Sequence, residues 1–345
     1  MLEVLKEVIY KGTTNPTCSN DVFTELVEYI EVEFTYTETT YFCGKQARTK
    51  GACDSTLKDE NVCKYEYLHI DKSLSFTGNE AMNNYDTTEN TAPWLAKKEL
   101  ISTITIGEIT TIGNYAFNGC TGFTTISFPT TLTSIGSNSF NGCTGLQTVT
   151  NWGSITTVGS YSFNGCTSLT TLELPDTLKT IETNAFNGCI KVSSITLNNV
   201  ETIGDNAFNN CDEVTRITIP STVKSIGSNA FGNIQKLASV TFNGFSEPST
   251  CSDSAFTSIG TQFVEVDIQY TGIDFCKLTP RTEKSCSEDI NDLTSCKYLY
   301  NHGEKSLKID GNGNMADYDT TTKLAPWNNK TDIITTITIS GIEKL

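Results

Sequence analysis

The chain has 345 residues, a net charge of −16, 37% apolar residues and 19% charged residues. This balance suits a folded protein with a Thr- and Ser-rich surface rather than a disordered acidic tail. The acidic excess argues against nucleic acid and anionic membrane surfaces as partners, since both need basic patches, and no stretch reaches the roughly 18–20 apolar residues of a membrane span.

The first residues, "MLEVLKEVIYKGTTNP", hold charges and no apolar run, so they do not read as a signal peptide. "LKEVIYKG" from Leu5 is instead similar to "LASVTFNG" from Leu237. Residues 1–42 are therefore expected to be the end of a repeat array that precedes them. Residues 43–100 follow as a small β-rich, Cys-containing cap or linker module.

Residues 101–271 repeat. Phe117, Phe140, Phe163, Phe186, Phe208 and Phe231 recur at intervals of 23, 23, 23, 22 and 23. Cys120, Cys143, Cys166, Cys189 and Cys211 keep the same beat, with Ile234 in the sixth place. After each Cys an apolar triplet such as Leu169, Leu172 and Leu174 ends in two alternating positions, the mark of one buried strand face. Pro129, Pro175 and Pro220 stop the strand. A unit this small cannot bury its own apolar face, so the units must stack in parallel and share a core. No segment shows a helical apolar period, so few or no long helices are expected.

The unit apolar-x-x-Ile-x-Ile-Pro-x-x-apolar-x-x-Ile-Gly-x-x-Ala-Phe-x-x-Cys resembles the BspA-like leucine-rich repeat family. The resemblance covers Ile101 to about Tyr270. It implies a leucine-rich-repeat-like β-rich solenoid with a parallel sheet along one face. It also implies a large surface or secreted protein, since many members are adhesins.

A second, longer period joins the flanks. Residues 43–109 align without gaps on 276–342, with 30 of 67 positions identical. Residues 272–333 are thus expected to be a second cap module, and 334–345 the first rung of a following array. This reading makes the chain a segment of a longer multi-array protein whose signal peptide and anchor lie elsewhere. A solenoid end needs its apolar face covered, and Trp94 and Trp327 are the candidates.

Four cysteines fall at each junction: Cys18, Cys43, Cys53 and Cys63, then Cys251, Cys276, Cys286 and Cys296. Two disulfides per junction are expected, with three connectivities open. Zinc competes poorly, because ten-residue spacing lacks the usual Cys-x₂₋₄-Cys knuckle. The array cysteines read as a ladder of buried thiols acting as small apolar fillers. His69 and His302 read as surface or cap-packing residues, for no nucleophile or acid motif accompanies them. "DGNGN" at Asp310 lacks the Gly and Glu of a calcium loop and reads as a turn. Asn329 opens the one glycosylation sequon.

These readings leave no catalytic residue, no metal and no cofactor to propose. The expected function is adhesion or interaction outside the cell or at its surface, by a monomeric solenoid whose partner is a protein or glycan on a host, matrix or neighbouring cell. The binding candidates are outward strand positions that break the Thr/Ser pattern: Trp152, Glu173 and Arg216, with Gln147 and Thr171 beside them. The alternatives are a structural spacer or coat element, an intracellular scaffold, and a flat Thr array for ice or crystalline polysaccharide. Glu173 and Arg216 interrupt that last array.

Overall fold

A computed structural model of the chain describes residues 9–11, 29–33, 46–53, 63–267, 269–285, 297–311, 325–327, 330 and 334–340. The chain divides into two compact units, Met1–Val192 and Ser193–Leu345. The 23-residue beat of the sequence runs on across this division.

In the first unit each rung contributes two strands. A two-residue strand carries the apolar residue before the Phe: Ile112, Ile135, Val158 and Ile181 pair in parallel, rung on rung. A longer strand carries the alternating triplet end, as where Thr125–Phe128 pairs with Thr148–Trp152. Alternation points Ile126 and Phe128 inward and leaves Thr125 and Ser127 exposed. The four Phe side chains are fully buried and stacked, with centroids 5.1, 5.0 and 5.4 Å apart and ring planes within 17°. Burial of each contributes on the order of 2–3 kcal/mol.

The Asn-Gly step before each Cys is a turn. Gly119, Gly142, Gly165 and Gly188 all have φ between +70° and +74°, a conformation that glycine takes without cost. It brings each Cys under the preceding rung. The thiols of Cys143, Cys166 and Cys189 donate to the carbonyls of Phe117, Phe140 and Phe163 at 3.1, 3.3 and 3.3 Å. The ladder is buried as expected, and it also ties one rung to the next by hydrogen bonds.

The cap module precedes these rungs as a mixed sheet. Gln46–Ala52, Lys64–Leu68 and Ser73–Thr77 are antiparallel neighbours. Ser73–Thr77 then pairs in parallel with Thr103–Ile106, the first strand of the array. A short 3₁₀ turn, Pro93–Lys97, places Trp94 over the end of the stack. Trp94 is fully buried, its indole donates to the Ala116 carbonyl at 2.6 Å, and it meets Phe76, Tyr65, Tyr85 and Phe117.

The second unit repeats both parts in the opposite order. Arg216–Ile219, Ser239–Phe242 and Phe263–Glu265 pair in parallel. Phe208, Phe231 and Phe256 stack at 5.4 and 5.2 Å. Phe256 lies 25 residues after Phe231 and belongs to a rung that the 23-residue count passes over. Thr279–Ser285, Lys297–Asn301 and Ser306–Asp310 then form the antiparallel module, and Ser306–Asp310 pairs in parallel with Thr336–Ser340. The two modules thus share one topology, as their sequence identity requires. Trp327 is half-buried and edge-on to Tyr298 at 5.1 Å.

One sequence expectation is overturned. Trp152 is 5% exposed and points into the core, where its ring meets Phe128, Phe163 and Phe186. The register against the preceding strand slips between Val149 and Asn151, so that Trp152 lies opposite inward-facing Phe128. One extra residue absorbed as a bulge reverses the facing of everything after it.

Candidate functional site

The strand face is built from the outward positions of the longer strands. In the first unit Gln147 and Glu173 are exposed and Thr171 is half-buried. Gln147 and Thr171 belong to adjacent rungs, since the Thr170 N–H and hydroxyl donate to the Gln147 carbonyl at 3.2 and 3.3 Å. Glu173 follows two positions along the Thr171–Glu173 strand, on the same face. Gln147, Thr171 and Glu173 therefore gather on one patch, and Trp152 does not join it. Arg216 is exposed at the start of its strand in the second unit, in register with Ser239.

A second constellation occurs once in each unit, where the module meets its preceding strand. In the first unit the Arg48 guanidinium lies 4.9 Å from the Tyr29 ring centre and pairs with Glu66 at 3.1 Å and Glu31 at 3.4 Å. Lys50 also pairs with Glu31. In the second unit Arg281 lies 4.7 Å from the Phe263 ring centre and pairs with Glu265 at 2.5 Å. Burial raises the Glu265 carboxyl pKa, and the bond from Arg281 opposes that shift. Cavities of about 530 and about 650 Å³ adjoin these pairs, the first lined by Lys50, Lys64 and Tyr65, the second by Phe245, Asp267 and Lys284. Their charges are largely matched within each unit, so the constellation holds module to array. Its sequence signal is the likeness of "YIEVEF" from Tyr29 to "FVEVDI" from Phe263. Those stretches lie 234 residues apart, one more than the module period, and the single-residue gap conceals them.

The remaining candidates are structural. His69 Nε2 lies 2.8 Å from the Thr49 hydroxyl, which donates to the Val32 carbonyl at 2.6 Å. His302 repeats this with Thr282 at 3.0 Å and Val266 at 2.8 Å. Both rings are 3% exposed, and burial, with nearby Lys97 or Lys330, lowers their pKa to about 4. Burial pushes the Cys120 and Cys189 thiols up to about 12, and Cys143 and Cys166 well above their ordinary value. At neutral pH the thiols are thus held protonated, and the two imidazoles are neutral, buried and bonded to a Thr hydroxyl.

Among the described residues two disulfides are formed, Cys53 to Cys63 and Cys251 to Cys276. Cys18, Cys43, Cys286 and Cys296 lie outside the described residues, as does Asn329. Glu247 stands close to the Cys251 and Cys276 sulfurs, and its carboxylate accepts from the Cys276 N–H at 3.0 Å. Sulfurs bonded to each other are not thiolate ligands, so this trio does not fit a metal.

The family model described as "BspA type Leucine rich repeat region" matches the chain in six copies, over residues 95–212 and 156–277. A leucine-rich repeat protein from Eubacterium ventriosum is similar in structure, at 25% identity and a TM-score of 0.40 over 68% of this chain. The match spans 65% of that protein, less than two thirds of its length. The pneumococcal vaccine antigen PcpA is similar at 17% identity and a TM-score of 0.38, over 79% of this chain and 82% of that one. A leucine-rich repeat protein from Bacteroides ovatus is similar at 17% identity and a TM-score of 0.31, over 68% and 74%. No curated protein matches the chain. With the repeat found in more than half of its residues, and the stacked Phe and Cys ladders that the repeat encodes, the chain belongs to the BspA type leucine-rich repeat family.

Proposed function

We propose that the chain is a non-catalytic interaction protein displayed outside the cell or on its surface, which holds a protein or glycan partner on its outward strand face. The observation that carries this reading is the face itself. Its exposed Thr and Ser positions run rung after rung along the longer strands, and Gln147 and Glu173 in one unit and Arg216 in the other stand exposed where the pattern breaks. Extended flat surfaces of this kind suit large partners rather than small substrates. The two disulfides favour an oxidising compartment and speak against an intracellular scaffold. The test is binding of the purified chain to immobilised matrix proteins and to host cells, with and without the triple substitution Gln147→Thr, Glu173→Thr and Arg216→Thr. A loss of about tenfold or more supports these exposed positions as contacts, and unchanged binding removes them.

A spacer role is the second reading, favoured by two modules of one topology separated by a whole array. It predicts that the unsubstituted chain binds none of these surfaces.

A further inference from the structure

The residue two places before the stacked Phe has a left-handed backbone in the six rungs from Phe117 to Phe231. Four of the six are Asn: Asn138, Asn184, Asn206 and Asn229, with φ from +51° to +57°. Asn tolerates this conformation because its short side chain can bond locally. The Asn184 side-chain oxygen accepts from Asn187 Nδ2 at 3.1 Å, and that of Asn229 accepts from the Thr257 hydroxyl at 2.5 Å. The other two positions are Tyr115, at φ +57°, and Tyr161, at φ +59°. A bulky ring there is a steric outlier; such outliers persist where the surrounding structure holds them, and they cluster at binding sites. The backbones of both tyrosines are bonded within and between rungs, but neither side chain has a hydrogen-bond or ring partner among the described residues. Tyr161 is 41% exposed and Tyr115 is half-buried.

The surroundings are polar and mostly neutral, with Lys98 beside the Gly119 turn at the first rung. On one side of the tyrosines runs the row Asn114, Ser137, Ser160 and Thr183; on the other runs the row Asn118, Asn141, Asn164 and Asn187. All eight are half-buried. Asn164 donates to Asn141 at 2.8 Å, rung to rung. Glu182, the nearby acid, is occupied with the N–H and hydroxyl of Ser160 at 2.9 and 2.8 Å. Aromatic faces between rows of neutral amides and hydroxyls fit a carbohydrate, whose C–H faces stack on rings and whose hydroxyls both donate and accept. The net charge of −16 disfavours a sulfated or phosphorylated chain.

Spacing narrows the class. Phe117, Phe140 and Phe163 mark successive rungs at 5.1 and 5.0 Å, so equivalent positions two rungs apart are separated by about 10 Å. One rung is close to the length of one pyranose in an extended β-linked chain. Tyr115 and Tyr161 would then meet alternate sugars, which present the same face in a β1,4-linked chain. We propose that this turn edge of the first unit binds a neutral β1,4-linked polysaccharide along the stack, with Tyr115 and Tyr161 as its platforms. The proposal rests on the reading of the chain as an interaction protein and names a ligand class and a second edge for it.

The test is native electrophoresis of the full chain through gels that contain soluble hydroxyethylcellulose, with α-linked dextran as the comparison. The cellulose derivative should retard the chain and dextran should not. Tyr161→Asn should weaken retardation at least fivefold, and the double Tyr115→Asn, Tyr161→Asn variant should abolish it, while Tyr161→Phe keeps it. Because Asn is the residue that the other rungs use, the melting temperature of the double variant should equal or exceed that of the unsubstituted chain, which excludes unfolding as the cause of any loss. No retardation of the unsubstituted chain, equal retardation of the double variant, or retardation by dextran alone would overturn the proposal. The Gln147, Glu173 and Arg216 triple variant should still be retarded, so failure of the strand face and failure of this edge are told apart.

Discussion

Ser139 and Ser162 are the two places where the residue before a stacked Phe departs from its rule. The residue before the Phe is Ala in the other rungs, at Ala116, Ala185, Ala207, Ala230 and Ala255, and every one is fully buried. The serines are fully buried too, and their hydroxyls have no partner among the described residues. An unsatisfied buried hydroxyl costs about 1–3 kcal/mol. Ser139→Ala and Ser162→Ala should each stabilise the chain by about 1 kcal/mol, raising the urea midpoint without changing the slope. The thiols one turn away behave differently, since three of them donate to a carbonyl of the preceding rung. Held protonated and out of water, Cys120, Cys143, Cys166 and Cys189 should resist iodoacetamide for hours at pH 8 in the native chain and react after denaturation. Peptide mass mapping checks this, and fast native labelling of Cys143 or Cys166 would contradict the buried ladder.

At the scale of the element, the cap modules carry the pH dependence. His69 and His302 have folded pKa values near 4, against an ordinary value of 6.5, first because burial disfavours their charge and second because Lys97 or Lys330 is near. The unfolded chain therefore binds these protons more readily. Stability is fully present above about pH 6.5 and declines as pH falls from there toward 4. Thermal melts at pH 7.5 and 4.5 should show this loss, and it should be smaller for His69→Gln and His302→Gln, which keep a donor without a titrating ring. The likeness of the two modules was legible from their shared residues, and so was the stack, because one inward Phe per 23 residues reports side-chain direction for as long as the strands hold register. Legibility ended wherever a residue was inserted. The extra residue before Trp152 turned an expected surface tryptophan into core, two extra residues hid the rung of Phe256, and one hid the Arg–Glu–aromatic pairs of the junctions. The Tyr115 and Tyr161 conformations were unreadable for another reason: the repeat records which residue stands at a position, and φ belongs to the backbone.

At the scale of the whole molecule, contacts in a stacked array are made with neighbours, so a perturbation should spread only as far as the next few rungs. The disulfides test this. Cys53–Cys63 closes a sequence separation of 10 and Cys251–Cys276 one of 25. Each constrains the unfolded chain by about 3 kcal/mol in the loop-entropy account. The first lies within a module, where the Tyr85 hydroxyl also donates to the Cys53 carbonyl at 2.5 Å. The second joins the short strand Thr250–Cys251, last of its series in the second unit, to the start of the following module. Reduction, or the substitutions Cys251→Ser and Cys276→Ser, should lower the melting temperature by several degrees. In hydrogen exchange the lost protection should concentrate at residues 250–285. The amides of Phe140 and Phe163, bonded at 2.7 and 2.8 Å to the rungs beside them in the first unit, should keep theirs. If those amides lose protection in step with Cys251, the array unfolds as one body and the neighbour-by-neighbour account of its stability fails.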